Sequence, residues 1–362
     1  MRVTWASLVA GRFGLACAGS CLALAAMCTP MALGRAESSA APGARMTYIT
    51  TLPGAGSVPE VMLAGADGSD PKPLGQASTA VLSPNGQLVA AVRSGGGSAT
   101  HGSSLVLYSV AKKATRVLRV SSGQLTILAW SPDNQWIAVT DGDALVAVPL
   151  RGAARTLATG TINGASFAPT TPDRLVYAKA QSLLVNATVN LYKVNLHGGA
   201  AVELTHNGLS QYPLWGPDGI VFSGGQSHAS TTYQLWLIKP GGASRARQLT
   251  NVAVSAPFDG LEPIAFSQDG KHLLANLVGA DTSEAWTVDL GSSPAQVHQL
   301  GAAGATTIGN AISRDGNAVL LTVGSEKLSS DDFEGQSIAV APWSGGLATT
   351  VVAHGAFASW NR

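Results

Sequence analysis

Apolar and polar positions in this chain fall into short β-prone runs separated by turn residues, and one such unit recurs along most of its length. In the unit at 128–139, an apolar run ends at Trp130 and the next begins at Trp136. The four residues that follow Trp130, Ser-Pro-Asp-Asn (131–134), favour a tight turn. Proline presets φ for its second position, and the Ser and Asp side chains bond nearby backbone N–H groups. The pattern predicts two strands joined as a hairpin.

Further copies of the unit have the same order of apolar strand, turn and apolar strand. In each copy one apolar or aromatic anchor residue directly precedes the turn: Leu82, Trp130, Phe167, Trp215, Phe266, Ile312 and Trp360. By subtraction of positions, the anchors are 48, 37, 48, 51, 46 and 48 residues apart. A period of roughly 40–50 residues with about four strands per repeat is typical of a β-propeller.

The sequence therefore predicts an all-β fold, a β-propeller of seven four-stranded blades. The first β-prone runs, which begin at Met46, match the second, third and fourth strands of a repeat. The missing first strand is the run at 356–360, so we expect the N- and C-terminal strands to close one blade, which pairs edges that would otherwise stay open. The short spacing before Phe167 and its altered turn leave six blades as an alternative.

The N-terminus is typical of a secretory signal. Arg2 and Arg12 precede an apolar or small-residue run at 13–27, which has the length of a signal-peptide core and is too short to span a bilayer. We interpret residues 1–36 as a signal peptide, 37–45 as a flexible linker and 46–362 as the propeller. A periplasmic or secreted protein without a transmembrane segment in its mature chain is expected, and a retained membrane anchor is the alternative.

All three cysteines lie within the predicted signal, so the mature chain is expected to have no disulfide and no cysteine nucleophile. Cys21 follows small residues at 18–20, which resemble a lipoprotein-type site. The leucine expected three residues before the cysteine is missing, since Ala18 stands there. A lipid-anchored form is the less favoured alternative.

The charge balance excludes one class of partner. The chain has 22 Lys and Arg against 21 Asp and Glu, a formal net charge of +1, and only 12% charged residues. That share is about half of the usual value for a soluble domain. No basic run or stripe is present, so we expect no nucleic-acid partner.

The repeat resembles the PD40, or WD40-like, repeat of TolB-type propellers. The full pattern occurs at Trp-Gly-Pro-Asp-Gly (215–219), Gly-Gly (241–242) and Leu-Thr (249–250), and the resemblance covers 46–362. It implies the propeller but no particular function, because the fold hosts unrelated activities. TolB has an additional α/β domain before its propeller, for which we expect no room here, so its envelope partners are not carried over. Peptidases with similar propellers have a following hydrolase domain, and this chain stops at 362.

No motif in the sequence predicts an active site. There is no Gly-x-Ser-x-Gly nucleophile elbow, no Gly-Lys-Ser/Thr phosphate loop and no His-x-x-x-His spacing. The anchor aromatics are interpreted as packing between blades. Repeated turns spread their aspartates around a ring, and we interpret these as turn caps: Asp133, Asp173, Asp218, Asp269 and Asp315. We predict no catalytic residue, no metal ligand and no cofactor, with calcium at the acidic loop 329–334 as the alternative.

A binding site is expected where loops lead into the innermost strands, because these loops border the central channel of a propeller. The polar residues predicted to bind a ligand or partner there are His206, Asp259, Glu262 and His354.

Two functions are compatible with this pattern. The first is an exported, non-enzymatic binding or scaffold protein that uses the propeller as an interaction platform for a protein or small ligand in the cell envelope. The alternative is a propeller hydrolase or lyase acting on a sugar or lactone, possibly metal-assisted. The second function requires polar side chains to converge at one mouth of the channel.

Overall fold

The structure is a computed structural model that describes residues 44–51, 58–95, 102–181, 188–226, 232–241, 245–279, 282–292, 295–301, 305–324 and 335–361. These residues form 28 strands in seven four-stranded antiparallel sheets, and they contain no helix. The predicted seven-bladed propeller is confirmed, and the six-blade alternative is excluded. The predicted signal and nearly all of the linker lie outside the described residues.

The first four blades follow the chain, apart from one strand. Blade 1 contains β1 (Arg45–Thr51), β2 (Pro59–Gly65) and β3 (Lys72–Gln76); blade 2 contains β4 (Thr79–Leu82), β5 (Leu88–Ser94), β6 (Ser103–Ser109) and β7 (Ala114–Ser121); blade 3 contains β8 (Leu125–Trp130), β9 (Trp136–Asp141), β10 (Ala144–Pro149) and β11 (Arg155–Thr159); blade 4 contains β12 (Ile162–Phe167), β13 (Arg174–Ala180), β14 (Val189–Asn195) and β15 (Val202–Glu203).

The remaining blades repeat the order. Blade 5 contains β16 (Ser210–Gly216), β17 (Gly219–Gly224), β18 (Gln234–Ile238) and β19 (Arg247–Gln248); blade 6 contains β20 (Phe258–Phe266), β21 (His272–Gly279), β22 (Ser283–Asp289) and β23 (Gln296–Gln299); blade 7 contains β24 (Thr306–Ile312), β25 (Ala318–Gly324), β26 (Gln336–Pro342) and β27 (Thr349–Val352); the last strand, β28 (Ala356–Trp360), completes blade 1.

The ring closes through β28, the inner strand of blade 1. It pairs antiparallel with β1, with Met46 opposite Trp360 and Ile49 opposite Ala356. The backbone N–H of Arg45 also donates to Asn361 Oδ1 at 2.8 Å. The predicted closure by both termini is confirmed, and the first strand begins one residue before the predicted boundary at 46.

The hydrophobic core is divided into seven clusters, one for each pair of neighbouring blades. The second strand of each blade is buried on both sides, which explains why its sequence reads as a continuous apolar run. In β9, for example, Ile137, Ala138 and Val139 have no exposed surface. Burial of such runs between sheets is the main force that holds the ring together.

The predicted turn chemistry is present in atomic detail. Ser131 Oγ donates to Asp133 Oδ1 at 2.5 Å and accepts from the backbone N–H of Trp136 at 2.9 Å. Asn134 adopts a positive φ of 60°, as expected for the fourth turn position. The same Ser–Asp pair recurs in blades 6 and 7, at Ser267–Asp269 and Ser313–Asp315.

Six of the seven inner strands carry a β-bulge shortly before their anchor residue, and β4 alone pairs without a register shift. A bulge redirects a side chain away from the regular alternation of the strand. Leu128, Ile264 and Asn310, which lie at three of the bulges, all line the central channel. At these three positions the bulge places a side chain on the channel side.

Candidate functional site

All seven inner strands run in the same direction along the central channel. They therefore begin at one mouth of the channel and end at the other. We call the mouth where the inner strands begin the acidic mouth, after Asp259 and Glu262 of β20. We call the mouth where they end the aromatic mouth, after Trp215 and Phe266, which are partly exposed there.

The acidic mouth brings together two of the four predicted residues. Asp259 and Glu262 were expected in a loop leading into an inner strand, but they lie within β20 itself. The strand extends further towards this mouth than the sequence suggested, since Phe258 already pairs with Gly279. Asp259 is exposed and Glu262 is partly buried.

A close backbone approach at Gly260 attaches Tyr233 to this strand. The backbone N–H of Tyr233 donates to Asp259 O at 2.9 Å, and the backbone N–H of Leu261 donates to Tyr233 O at 3.0 Å. Gly260 has a φ of 148°, and a Cβ placed on it would lie 2.3 Å from Tyr233 O. Only glycine fits this position, and the contact holds Tyr233 beside Asp259.

Tyr212 joins the group from the neighbouring inner strand, β16. It lies at the bulge of that strand and adopts a positive φ of 50°, which is rare for a bulky residue. A Cβ on Gly164 of β12 would lie 3.1 Å from Tyr212 Cα, so the adjacent blade packs tightly against this turn of the backbone. Strained backbone of this kind is found most often at functional sites.

The four side chains are coupled electrostatically. Burial, with a further contribution from the charge of Asp259, raises the pKa of Glu262 to about 7. Burial raises the pKa of Tyr212, and the neighbouring groups, of which Glu262 contributes most, raise it further. Burial and the charge of Asp259 raise the pKa of Tyr233. In the described ranges no Lys, Arg or His forms an ion pair with Asp259 or Glu262.

Near neutral pH these side chains can exchange protons and form hydrogen bonds with a ligand. Glu262 is close to half-protonated and can either donate or accept a proton, while both tyrosines remain protonated hydrogen-bond donors. Asp259 adds an acceptor. Among the described residues, no group of three or more His, Cys, Asp or Glu side chains is placed to hold a metal ion.

The other two predicted residues lie in loops that lead into other inner strands. His206, in the loop between β15 and β16, is 76% exposed, and its Nδ1 lies 3.5 Å from Oε1 of Glu203, a neighbour in its own blade. His354 is exposed in the loop between β27 and β28. The acidic loop 329–334, considered for calcium, lies outside the described residues.

Tyr212 and Tyr233 were not predicted from the sequence. Tyr212 precedes the anchor Trp215 by three residues, as Phe357 precedes Trp360, and both adopt a positive φ at a bulge. This shared spacing before the anchor residue could have indicated Tyr212 from the sequence. Tyr233 could not be found in this way, because its position depends on a contact between blades 5 and 6.

The aromatic mouth contains a cavity of about 630 Å³. The ends of all seven inner strands line it, so the repeating anchors form a ring around it. Trp130, Phe167 and Trp360 are at least nine-tenths buried, which agrees with their interpretation as packing residues.

Comparison with known proteins supports the fold. No protein-family model matches the chain, and no curated protein matches it in sequence. Among solved structures, TolB from Acinetobacter baumannii is 12% identical with a TM-score of 0.51, over 88% of this chain and 66% of TolB. The β-propeller domain of the Trilobed protease from Pyrococcus furiosus is 9% identical with a TM-score of 0.62, over 86% and 95%. An oligogalacturonate lyase from Vibrio parahaemolyticus is 13% identical with a TM-score of 0.51, over 84% and 85%.

The protein is thus a seven-bladed β-propeller, consistent with the TolB-like resemblance of its repeat. At these identities the likeness concerns the fold alone, and the fold is shared by a TolB, a protease domain and a lyase. Function has to be argued from the site. Within the described ranges, no helix is long and apolar enough to cross a membrane.

Proposed function

We propose that the protein is an exported, non-catalytic binding protein whose ligand or protein partner docks at the acidic mouth. The observation that carries the proposal is the convergence of Asp259, Glu262, Tyr212 and Tyr233 without a cationic partner in the described residues. Export rests on the N-terminal sequence, in which Arg2 and Arg12 precede an apolar run.

The chemistry of this mouth favours a partner that presents positive charge or several hydrogen-bond donors. A carboxylate binds an ammonium or guanidinium group through charge-assisted hydrogen bonds, and tyrosine rings attract cations over their faces. A cation beside Asp259 would also relieve the repulsion that helps to keep Glu262 protonated. A lysine- or arginine-bearing segment of an envelope protein fits this description.

Affinity purification from the envelope fraction tests the proposal, followed by titration of the recovered partner. We expect Asp259→Asn and Glu262→Gln each to weaken binding about tenfold or more, because each removes the negative charge of a charge-assisted hydrogen bond. Asp143→Asn, at an exposed acid in the turn between β9 and β10, is the matched control and should bind normally. Unchanged affinity in alanine variants of His206, Asp259, Glu262 and His354 alike would rule the site out.

Catalysis on a sugar or lactone is the second candidate, and the raised pKa of Glu262 is the observation that favours it. A carboxyl group that titrates near pH 7 suits general acid–base catalysis at neutral pH. Elemental analysis of the natively purified mature protein, with a screen of oligosaccharides and lactones, separates the two candidates. A stoichiometric metal and a turnover abolished by Glu262→Gln would support the enzyme, whereas a reproducible protein partner without turnover would support the binding protein.

A further inference from the structure

We propose that the aromatic mouth is a second binding site, which takes a small apolar or aromatic molecule carrying one anionic group. Its cavity of about 630 Å³ falls within the usual size range of small-molecule sites. The inner strands of all seven blades surround it, so it is preformed by the ring itself. This inference does not depend on the function proposed for the acidic mouth.

The wall of the cavity has few free polar groups. Ser166 Oγ accepts from the backbone N–H of Trp215 at 3.0 Å, and Ser359 Oγ accepts from the backbone N–H of Leu82 at 2.8 Å. Asn310 Nδ2 donates to Thr322 Oγ1 at 2.9 Å. Since these groups are bonded to the protein, most of the wall offers apolar surface, and the body of a ligand has to be apolar.

Two of the ring's aromatic anchors are available to such a ligand. Trp215 and Phe266 line the cavity and are only partly buried, whereas the corresponding Trp130 and Phe167 are covered by neighbouring blades. Exposed aromatic edges and faces favour a flat or aromatic ligand, because aromatic pairs gain energy beyond the area they bury.

The charge of the site comes from Arg314, the one ionisable side chain among the described lining residues. Its Nε donates to Gln268 Oε1 at 3.4 Å, and no described group bonds its terminal nitrogens. The nearby carboxylates of Asp269 and Asp315 do not line the cavity, and each accepts a serine hydroxyl within its own turn. An anionic group at the rim would therefore meet a guanidinium fork.

A pair of fluorescent probes tests the site in the folded, full-length mature protein. The first is 8-anilino-1-naphthalenesulfonate, which is aromatic and anionic, and the second is N-phenyl-1-naphthylamine, which has the same rings without the charge. We expect saturable binding of one sulfonate probe per chain, about tenfold tighter than the neutral probe. In Arg314→Gln the two probes should bind equally, while Arg151→Gln, at an exposed turn of blade 3, should behave as wild type.

Substitutions that fill the cavity provide a second test of the site. Ile264→Trp places a larger side chain at the bulge that faces the channel and should weaken both probes about tenfold or more. Ala129→Phe, which fills the cavity from blade 3, serves the same purpose if the first variant does not fold. Thermal unfolding of each variant confirms that probe binding is compared between folded proteins. Unsaturable binding, binding unaffected by either filling variant, or equal affinity of both probes for the wild type would overturn the proposal.

Discussion

The same seven inner strands form both mouths of the channel, yet the two mouths differ in how their side chains are specified. At the aromatic mouth, every blade contributes an apolar or aromatic anchor, and in blades 3, 6 and 7 a turn capped by a Ser–Asp pair follows it. At the acidic mouth, the important residues occur once each, and Tyr212, Tyr233 and Glu262 have no counterpart of the same type in other blades. A repeat can specify a ring, whereas departures from the repeat specify a site on it.

The electrostatics of the two mouths also differ. At the acidic mouth, burial and then repulsion from Asp259 raise the pKa of Glu262 to about 7, while Arg314 is the one ionisable side chain among the described residues that line the aromatic mouth. The two mouths should thus select ligands of opposite charge.

The largest effect is expected from Trp130→Ala at the aromatic mouth. Trp130 packs in the cluster between blades 2 and 3, and its loss should lower the free energy of unfolding by roughly 3–5 kcal/mol. Trp130→Phe keeps most of the packing and loses the bond to Val81 O, so it should lower stability by about 1 kcal/mol. Urea unfolding measures both. A loss below 1 kcal/mol in the alanine variant would contradict a structural role for the anchor.

Glu262→Gln tests the acidic mouth through the pH dependence of stability. The folded pKa of about 7 lies above the ordinary value of 4.5 for a glutamate, so the folded state keeps a proton that the unfolded chain loses. Wild-type stability should therefore fall as pH rises from about 4.5 to about 7, by at most on the order of 3 kcal/mol. The variant should match the wild type near pH 4.5 and be more stable at pH 8. Equal pH profiles for both proteins in chemical unfolding would contradict the raised pKa.

These two residues show what the sequence can and cannot predict. Trp130 was identified as an inter-blade anchor because its turn recurs at a regular period, which is a local pattern. Glu262 was named only from its position before an inner strand, and its raised pKa depends on burial and on Asp259. Tyr233 reaches the site through a bridge between two blades at Gly260, and the sequence around it carries no sign of that long-range contact.

Gly260→Ala tests whether that bridge builds the acidic mouth. The new Cβ would collide with Tyr233 O at an unfavourable φ, so we expect a loss of roughly 1–3 kcal/mol of stability. Binding at the acidic mouth should weaken as well, because Tyr233 is displaced from Asp259. Gly241→Ala is the matched control, since a Cβ there meets nothing within 4 Å, and it should be neutral. Normal stability and binding in Gly260→Ala would show that the bridge is dispensable.

The smallest change in stability is expected from substitutions in two copies of the repeated turn, in blades 3 and 5. Asp133 in blade 3 accepts from Ser131 Oγ at 2.5 Å and from the backbone N–H of Gln135 at 3.1 Å, so Asp133→Ala should lower stability by about 1 kcal/mol. In blade 5 the serine is replaced by Gly216, where a Cβ would lie 2.5 Å from the ring of Phe266. Asp218 therefore has no serine hydroxyl to donate a hydrogen bond to it. Asp218→Ala should change stability by less than about 0.5 kcal/mol. Equal losses in thermal unfolding would mean that the aspartate acts in this turn without its serine partner.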